Sequence, residues 1–186
     1  MFTIKNNKKN AININKSKFF GYCFFVEKID DCNKIIEDLH KNNPKASHIC
    51  YAYIIGKNQE IQHFFDDNEP QKSSGFQIFN LLIKNKITNC LIAIVRYFGG
   101  IKLGIGLLSR TYLITAKDLI DDNLDEFLEY KLLSIRFDYN FVTKVDHWII
   151  KNNVLIVEKT FNECISYKLK VSEQIIIPDW INSFKF

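Results

Sequence analysis

The chain has 186 residues, 47% hydrophobic and 25% charged, with a formal net charge of +4; that is enough apolar material for one domain or two small ones, and too balanced a composition for a disordered or fibrous protein. No apolar run approaches membrane-spanning length, and Met1 to Ile14 lacks the apolar stretch of a secretory leader. The five cysteines form no CxxC pair, so they read as free thiols of a reducing compartment and the expected location is the cytoplasm.

In chain order, Phe19 to Val26 reads as a strand. Asp30 to Asn42 reads as a helix, with Cys32, Ile35, Ile36 and Leu39 on one face and Pro44 after its end. Ser47 to Ile55 and Glu60 to Phe65 form a hairpin around the turn at Gly56 to Asn58. Ser73 to Ile83 is a helix entered through serine. Cys90 to Tyr97 is apolar enough to be a central strand covered on both faces. A glycine-rich loop follows, then a helix from Leu107 to Ile120. The acidic stretch Asp121 to Glu129 marks a boundary, dividing the chain into residues 1–125 and 126–186. Beyond it come a strand (Tyr130 to Tyr139), a helix (Thr143 to Lys151), two strands (Val154 to Asn162 and Cys164 to Val171) and a last short helix (Pro178 to Phe184). This βαββα order resembles a small ferredoxin-like unit without its final strand, and the whole chain reads as α+β.

Four of the seven glycines, Gly99, Gly100, Gly104 and Gly106, fall between the apolar strand and its helix, and Arg96 and Arg110, two of only three arginines, bracket them. Glycine admits positive φ and close backbone approach, and a helix N-terminus carries unpaired amides. With Lys102 alongside, the segment fits an anion cradle. A tight turn alone and a catalytic loop are the competing readings.

From Pro70 to Lys117 there is no acidic residue and there are seven basic ones: Lys72, Lys84, Lys86, Arg96, Lys102, Arg110 and Lys117. Such segregation favours an electropositive face and a polyanionic partner; a solvated lysine-rich surface is the bland alternative.

The segment RYFGGIKLGIGLLSRTY, residues 96–112, resembles the signature RYFGGxKLGxGGLxRAY of the IMPACT/YigZ family. Ser17 to Phe20 (SKFF), Ser47 to Tyr53 (SHICYAY) and Asp66 to Gly75 (DDNEPQKSSG) are similar to three further stretches of that family, in the same order. The sequence departs from the pattern at Leu107 and Asn68, where the family has glycine, and at Gln71 and Lys72. The resemblance implies an N-terminal domain like the second domain of a small-subunit ribosomal protein and elongation factor G domain IV. It implies a C-terminal domain like elongation factor G domain V, here truncated. It also implies a role around translation, since eukaryotic members regulate translation through a protein partner.

The expected function is therefore a cytosolic binding module for RNA, the ribosome or a translation regulator. Arg96, Gly99, Gly100, Lys102, Gly104, Gly106 and Arg110 would form the anion site, and Lys84, Lys86 and Lys117 would extend the footprint. The alternative is a small enzyme acting on a nucleotide or phosphorylated metabolite, motivated by the same loop and by Asp66, Asp67 and Glu69, three acids suited to a metal or to acid/base work. Those acids read equally well as a helix entry. A protein-binding adaptor is a third reading. His48, Cys50 and His63 could ligate zinc but lack a zinc spacing. No nucleophile stands beside a base in the sequence, and no cofactor motif is present.

Overall fold

In chain order the described residues, 1–184 of this computed structural model, form β1 (Phe2–Ile4), β2 (Lys8–Ile14), β3 (Ser17–Phe25), α1 (Ile29–Asn42), β4 (His48–Ile55), β5 (Ile61–Phe65), α2 (Gly75–Lys84), β6 (Cys90–Tyr97), α3 (Ile105–Ile120), β7 (Leu124–Glu126), β8 (Tyr130–Phe137), α4 (Val142–Lys151), β9 (Leu155–Phe161), β10 (Ile165–Ser172) and α5 (Asp179–Asn182). The mixed α/β chain divides into two units, Met1–Phe127 and Leu128–Phe186.

The first unit is built on a five-stranded sheet in the order β2-β3-β6-β4-β5, antiparallel throughout. Strand β6 lies at its centre and is covered on both sides, which explains its unbroken apolar run. Ile92 and Ile94 pack toward α2 and α3. Leu91 joins the cluster around Cys32 of α1, and Ala93 and Val95 join the one around Leu39. Residues two apart along a strand share a face, so Cys90, Ile92, Ile94 and Arg96 all belong to the α2–α3 side. Fully burying each large aliphatic side chain here contributes about 1.5–3 kcal/mol.

Strands β5 and β6 both run antiparallel to β4, so they are parallel to each other. Helix α2 returns between them and α3 returns after β6. The two helices pack together with their N-termini at the end of the sheet where β6 finishes.

Strands β1, β2 and β7 carry no clear sequence signal. Strand β2 reads KKNAINI and lies on the sheet edge, where lysines discourage further strand pairing. The Lys8 ammonium donates to the carbonyls of Asp118 (2.8 Å) and Asp121 (3.3 Å), closing the C-terminus of α3. Strand β1 pairs with β7, which ties the start of the chain to the segment after α3.

The second unit has a three-stranded antiparallel sheet, β8-β10-β9. Its buried core includes Ile135, Val145, Trp148, Tyr167, Leu169 and Ile181. The βαββα element order expected from the sequence is present. No described helix in either unit is long and apolar enough to cross a membrane.

Candidate functional site

The four segments singled out by sequence meet at one end of the five-stranded sheet. Strand β6 places Arg96 opposite both Phe19 and His48. The Gly99 amide donates to Ser17 Oγ (3.2 Å), and the Phe98 amide donates to Ser47 Oγ (3.0 Å). Gly99 lies so close to the backbone of Lys16 and Ser17 that any Cβ would collide with it. Gly104 instead has φ +72 and caps α3, a conformation suited to glycine.

Arg96 is the hub. It is only 4% exposed, its guanidinium lies 5.3 Å from the Phe19 ring centre and 5.5 Å from that of Phe98, and Nη1 donates to Glu69 Oε1 at 2.6 Å. The same oxygen accepts a hydrogen bond from Tyr112 Oη at 2.8 Å. Glu69 Oε2 lies 3.9 Å from His48 Nε2. His48 Nδ1 is 2.7 Å from the carbonyl of Asp67, so Nδ1 carries a proton and donates it. Tyr112 also lies 3.4 Å from Cys50 Sγ. Burial, followed by the neighbouring Cys50 and Glu69, pushes the Tyr112 hydroxyl far up. Burial likewise pushes the Cys50 thiol up to about 12.

The acidic trio separates by task. Asp66 accepts from the amides of Lys72 (2.8 Å), Ser74 (3.2 Å) and Phe76 (3.3 Å) and from Ser74 Oγ (2.8 Å), so it closes the N-terminus of α2 across eight residues of turn. Asp67 accepts from the Ile49 amide at 2.6 Å, pinning the turn to β4. Glu69 faces inward to Arg96. Asp67, Asn68 and Lys72 have positive φ, at 43, 61 and 59. The carboxylates thus diverge, and no group of three or more His, Cys, Asp or Glu side chains among the described residues could hold a metal. The zinc grouping disperses as well. Cys50 faces α2 and α3, whereas His63 packs at a tilt against Tyr51 and Tyr53 of the opposite face.

The anion set is also divided. Arg96 is turned inward against Glu69, while Arg110 is exposed on α3. Lys102 and Gly104, with Arg96, His48 and Glu69, line a cavity of about 440 Å³. Arg110 is not part of its wall. Lys84, Lys86 and Lys117 are exposed toward the opposite ends of α2 and α3, Lys117 lying roughly 18 Å along α3 from Ile105 at 1.5 Å per residue. The sequence reading missed Tyr112 and the inward turn of Arg96. The parity of β6 held the second signal, because Arg96 continues the buried row of Ile92 and Ile94.

The fold and site define a mixed α/β protein whose glycine-rich loop and DDNEP turn are joined by a buried Arg–Glu pair. The match to the Impact N-terminal domain runs over residues 15–120, and the chain belongs to the IMPACT family. It is 31% identical to the IMPACT family member YvyE of Bacillus subtilis, over 93% of this chain and 80% of that protein. It is 30% identical to an IMPACT family member of Haemophilus influenzae, over 88% of this chain and 81% of that one. A crystal structure of a hypothetical protein, 18% identical, matches 91% of this chain and 84% of its own with a TM-score of 0.66, showing a shared fold.

Proposed function

We propose that the protein is a cytosolic binding module of translation that contacts RNA, as free RNA or in the ribosome, through the outer faces of α2 and α3. The observation behind this reading is the destination of the acid-free block. Of its seven basic side chains, Lys72, Lys84, Lys86, Lys102, Arg110 and Lys117 are all exposed, and Arg96 alone is enclosed. The six follow two parallel, packed helices and the loop that starts the second. Positive charge spread along these elements attracts a phosphate backbone without reading sequence. The likeness of the two units to a ribosomal-protein second domain, elongation factor G domain IV and elongation factor G domain V belongs to the same reading. A translation-regulating protein is the alternative partner. The enzyme reading retains the cavity but finds Asp66 and Asp67 holding backbone amides.

The test is binding to ribosomes and to single-stranded RNA across a salt series. With about four phosphates neutralised, log affinity should fall against log salt with a slope of about −2.8 on a single strand. Lys84→Glu with Lys86→Glu should weaken binding and shallow that slope while the fold persists. A flat salt dependence, or no association at low salt, refutes the reading.

A further inference from the structure

We propose that the cavity at the loop end of the sheet binds a small organic anion with an apolar body, held head-first against the N-terminus of α3. The cavity's volume, about 440 Å³, is within the range of small-molecule sites. Most of its wall is apolar, made by Pro70, Phe98, Leu103, Ile105 and Leu108. Phe98 is 46% exposed and Ile105 64% exposed. An apolar ligand body would remove that surface from water.

The charge distribution fixes the ligand's polarity. Inside, Arg96 and Glu69 neutralise one another at 2.6 Å, so the floor offers hydrogen bonds rather than net charge. At the mouth the balance is positive. Lys102 is exposed there. The cap of α3 is Gly104, which supplies no side-chain acceptor, so the first-turn amides of Ile105, Gly106 and Leu107 lack an intrahelical partner. The Cβ position of Gly106 faces open space. Neither packing nor a positive φ accounts for glycine there, and a bare backbone lets an anion approach.

The floor supplies a second and independent sign. Arg96 is more than nine-tenths buried, yet only Nη1 donates to Glu69, and its Nε is buried without an acceptor among the described residues. That atom is sealed from the cavity, so the polar groups a ligand meets at the inner end are those of Glu69 and His48. Glu69 Oε2 and His48 Nε2 stand 3.9 Å apart, too far for a direct hydrogen bond. A single hydroxyl oxygen at about 2.8 Å from each would bridge them when His48 is charged, accepting from Nε2 and donating to Glu69 Oε2; beside a neutral His48, whose Nε2 accepts, it would donate to one of the two. The site thus takes an anionic head at the mouth, an apolar middle and a hydroxyl at the inner end. Carboxylate and phosphate heads share this chemistry.

The experiment is a ¹⁵N-labelled titration of the full chain, following the backbone amides of Lys102 to Leu108. The probes are phenylacetate and phenyl phosphate as the two anionic arms, benzyl alcohol as the neutral body, and inorganic phosphate as the head alone. The expected result is saturable shifts of the Ile105, Gly106 and Leu107 amides with either or both anionic aryl probes. Benzyl alcohol and inorganic phosphate should bind at least about tenfold more weakly, a difference of about 1.4 kcal/mol. Lys102→Ala should weaken the anionic probes and leave the remaining spectrum in place. If no probe saturates by about 10 mM, if the neutral probe binds as tightly as the anions, or if the shifts fall elsewhere, the proposal is overturned. Inorganic phosphate matching phenyl phosphate would show an adventitious ion only and overturns it equally. The RNA reading is tested separately, because Lys84→Glu with Lys86→Glu should lower RNA binding and leave probe binding unchanged.

Discussion

Replacing Glu69 by alanine tests whether the Arg96–Glu69 pair holds the loop end together. The two side chains are 5% and 4% exposed and the contact is 2.6 Å, so water screens the pair only weakly. Removing one partner of a buried pair costs about 3–5 kcal/mol, because the other charge is left uncompensated. The Tyr112 hydroxyl loses its carboxylate acceptor too, although Cys50 remains within reach at 3.4 Å. A loss of about 4 kcal/mol is expected, which is roughly a thousandfold in the population of the opened unit. Cys23, Cys32, Cys50 and Cys90 are buried and all lie in the first unit, so native-state thiol exchange reads that opening directly. Glu69→Gln keeps an amide oxygen for Arg96 and Tyr112 and should lose about half as much. The double variant Glu69→Leu with Arg96→Met replaces the pair by apolar groups and should recover at least about 2 kcal/mol relative to Glu69→Ala. By contrast the exposed Lys41–Glu37 pair, at 3.8 Å, should contribute no more than about 0.5 kcal/mol. The reasoning is refuted if Glu69→Ala costs no more than disrupting that surface pair, or if the apolar double variant is less stable than the single one.

Asp66→Ala should cost about 1–2 kcal/mol, read as a lower urea midpoint, since four donors including the first turn of α2 lose their acceptor; millimolar Mg²⁺ should leave the melting temperature unchanged in both forms. At neutral pH a thiol reagent should titrate Cys164, the one exposed cysteine of the five, and reach the other four only on unfolding. Burial pushes the thiols of Cys32 and Cys50 up to about 12, so the unfolded chain releases these protons at lower pH than the folded one. Their contribution is fully present below the ordinary thiol range and is lost as pH rises toward 12. The urea midpoint should therefore fall between about pH 8 and pH 10.5, and Cys32→Ala should reduce that fall.

The elements with strong periodicity were legible. The helix at 29–42 and the strand at 90–97 have patterns that one face or two buried faces impose. The first two strands were not legible, because a sheet edge with one wet side needs no apolar run. Lys8 on the edge strand closes a helix C-terminus more than a hundred residues away. The acidic turn was ambiguous for a related reason. A carboxylate that gathers backbone amides and one that gathers a metal have the same composition, and only the fold decides which donors arrive. For Asp66 they are the amides of Lys72, Ser74 and Phe76.

Arginine scarcity singled out Arg96 and Arg110 but did not reveal their directions. Arg96 and Arg110 bracket the same loop, yet one sits at the end of a strand whose even-numbered residues face the α2–α3 core, and the other on the outer side of a helix. The strand's two-residue period sends Arg96 inward, where a lone charge would be untenable without Glu69. This links the two sharpest sequence features: the DDNEP turn carries the acid that lets the glycine-rich loop begin with a buried arginine. Asp66 and Asp67 anchor that turn to α2 and β4, so the position of Glu69 is set by bonds on both sides of it. The loop end is consequently a rigid floor beneath a glycine-rich rim, and ligand-dependent changes should concentrate at residues 98–106 rather than in the turn at 66–72. Amide exchange measured with and without phenyl phosphate separates these two segments. Slowing confined to the turn would refute a fixed floor.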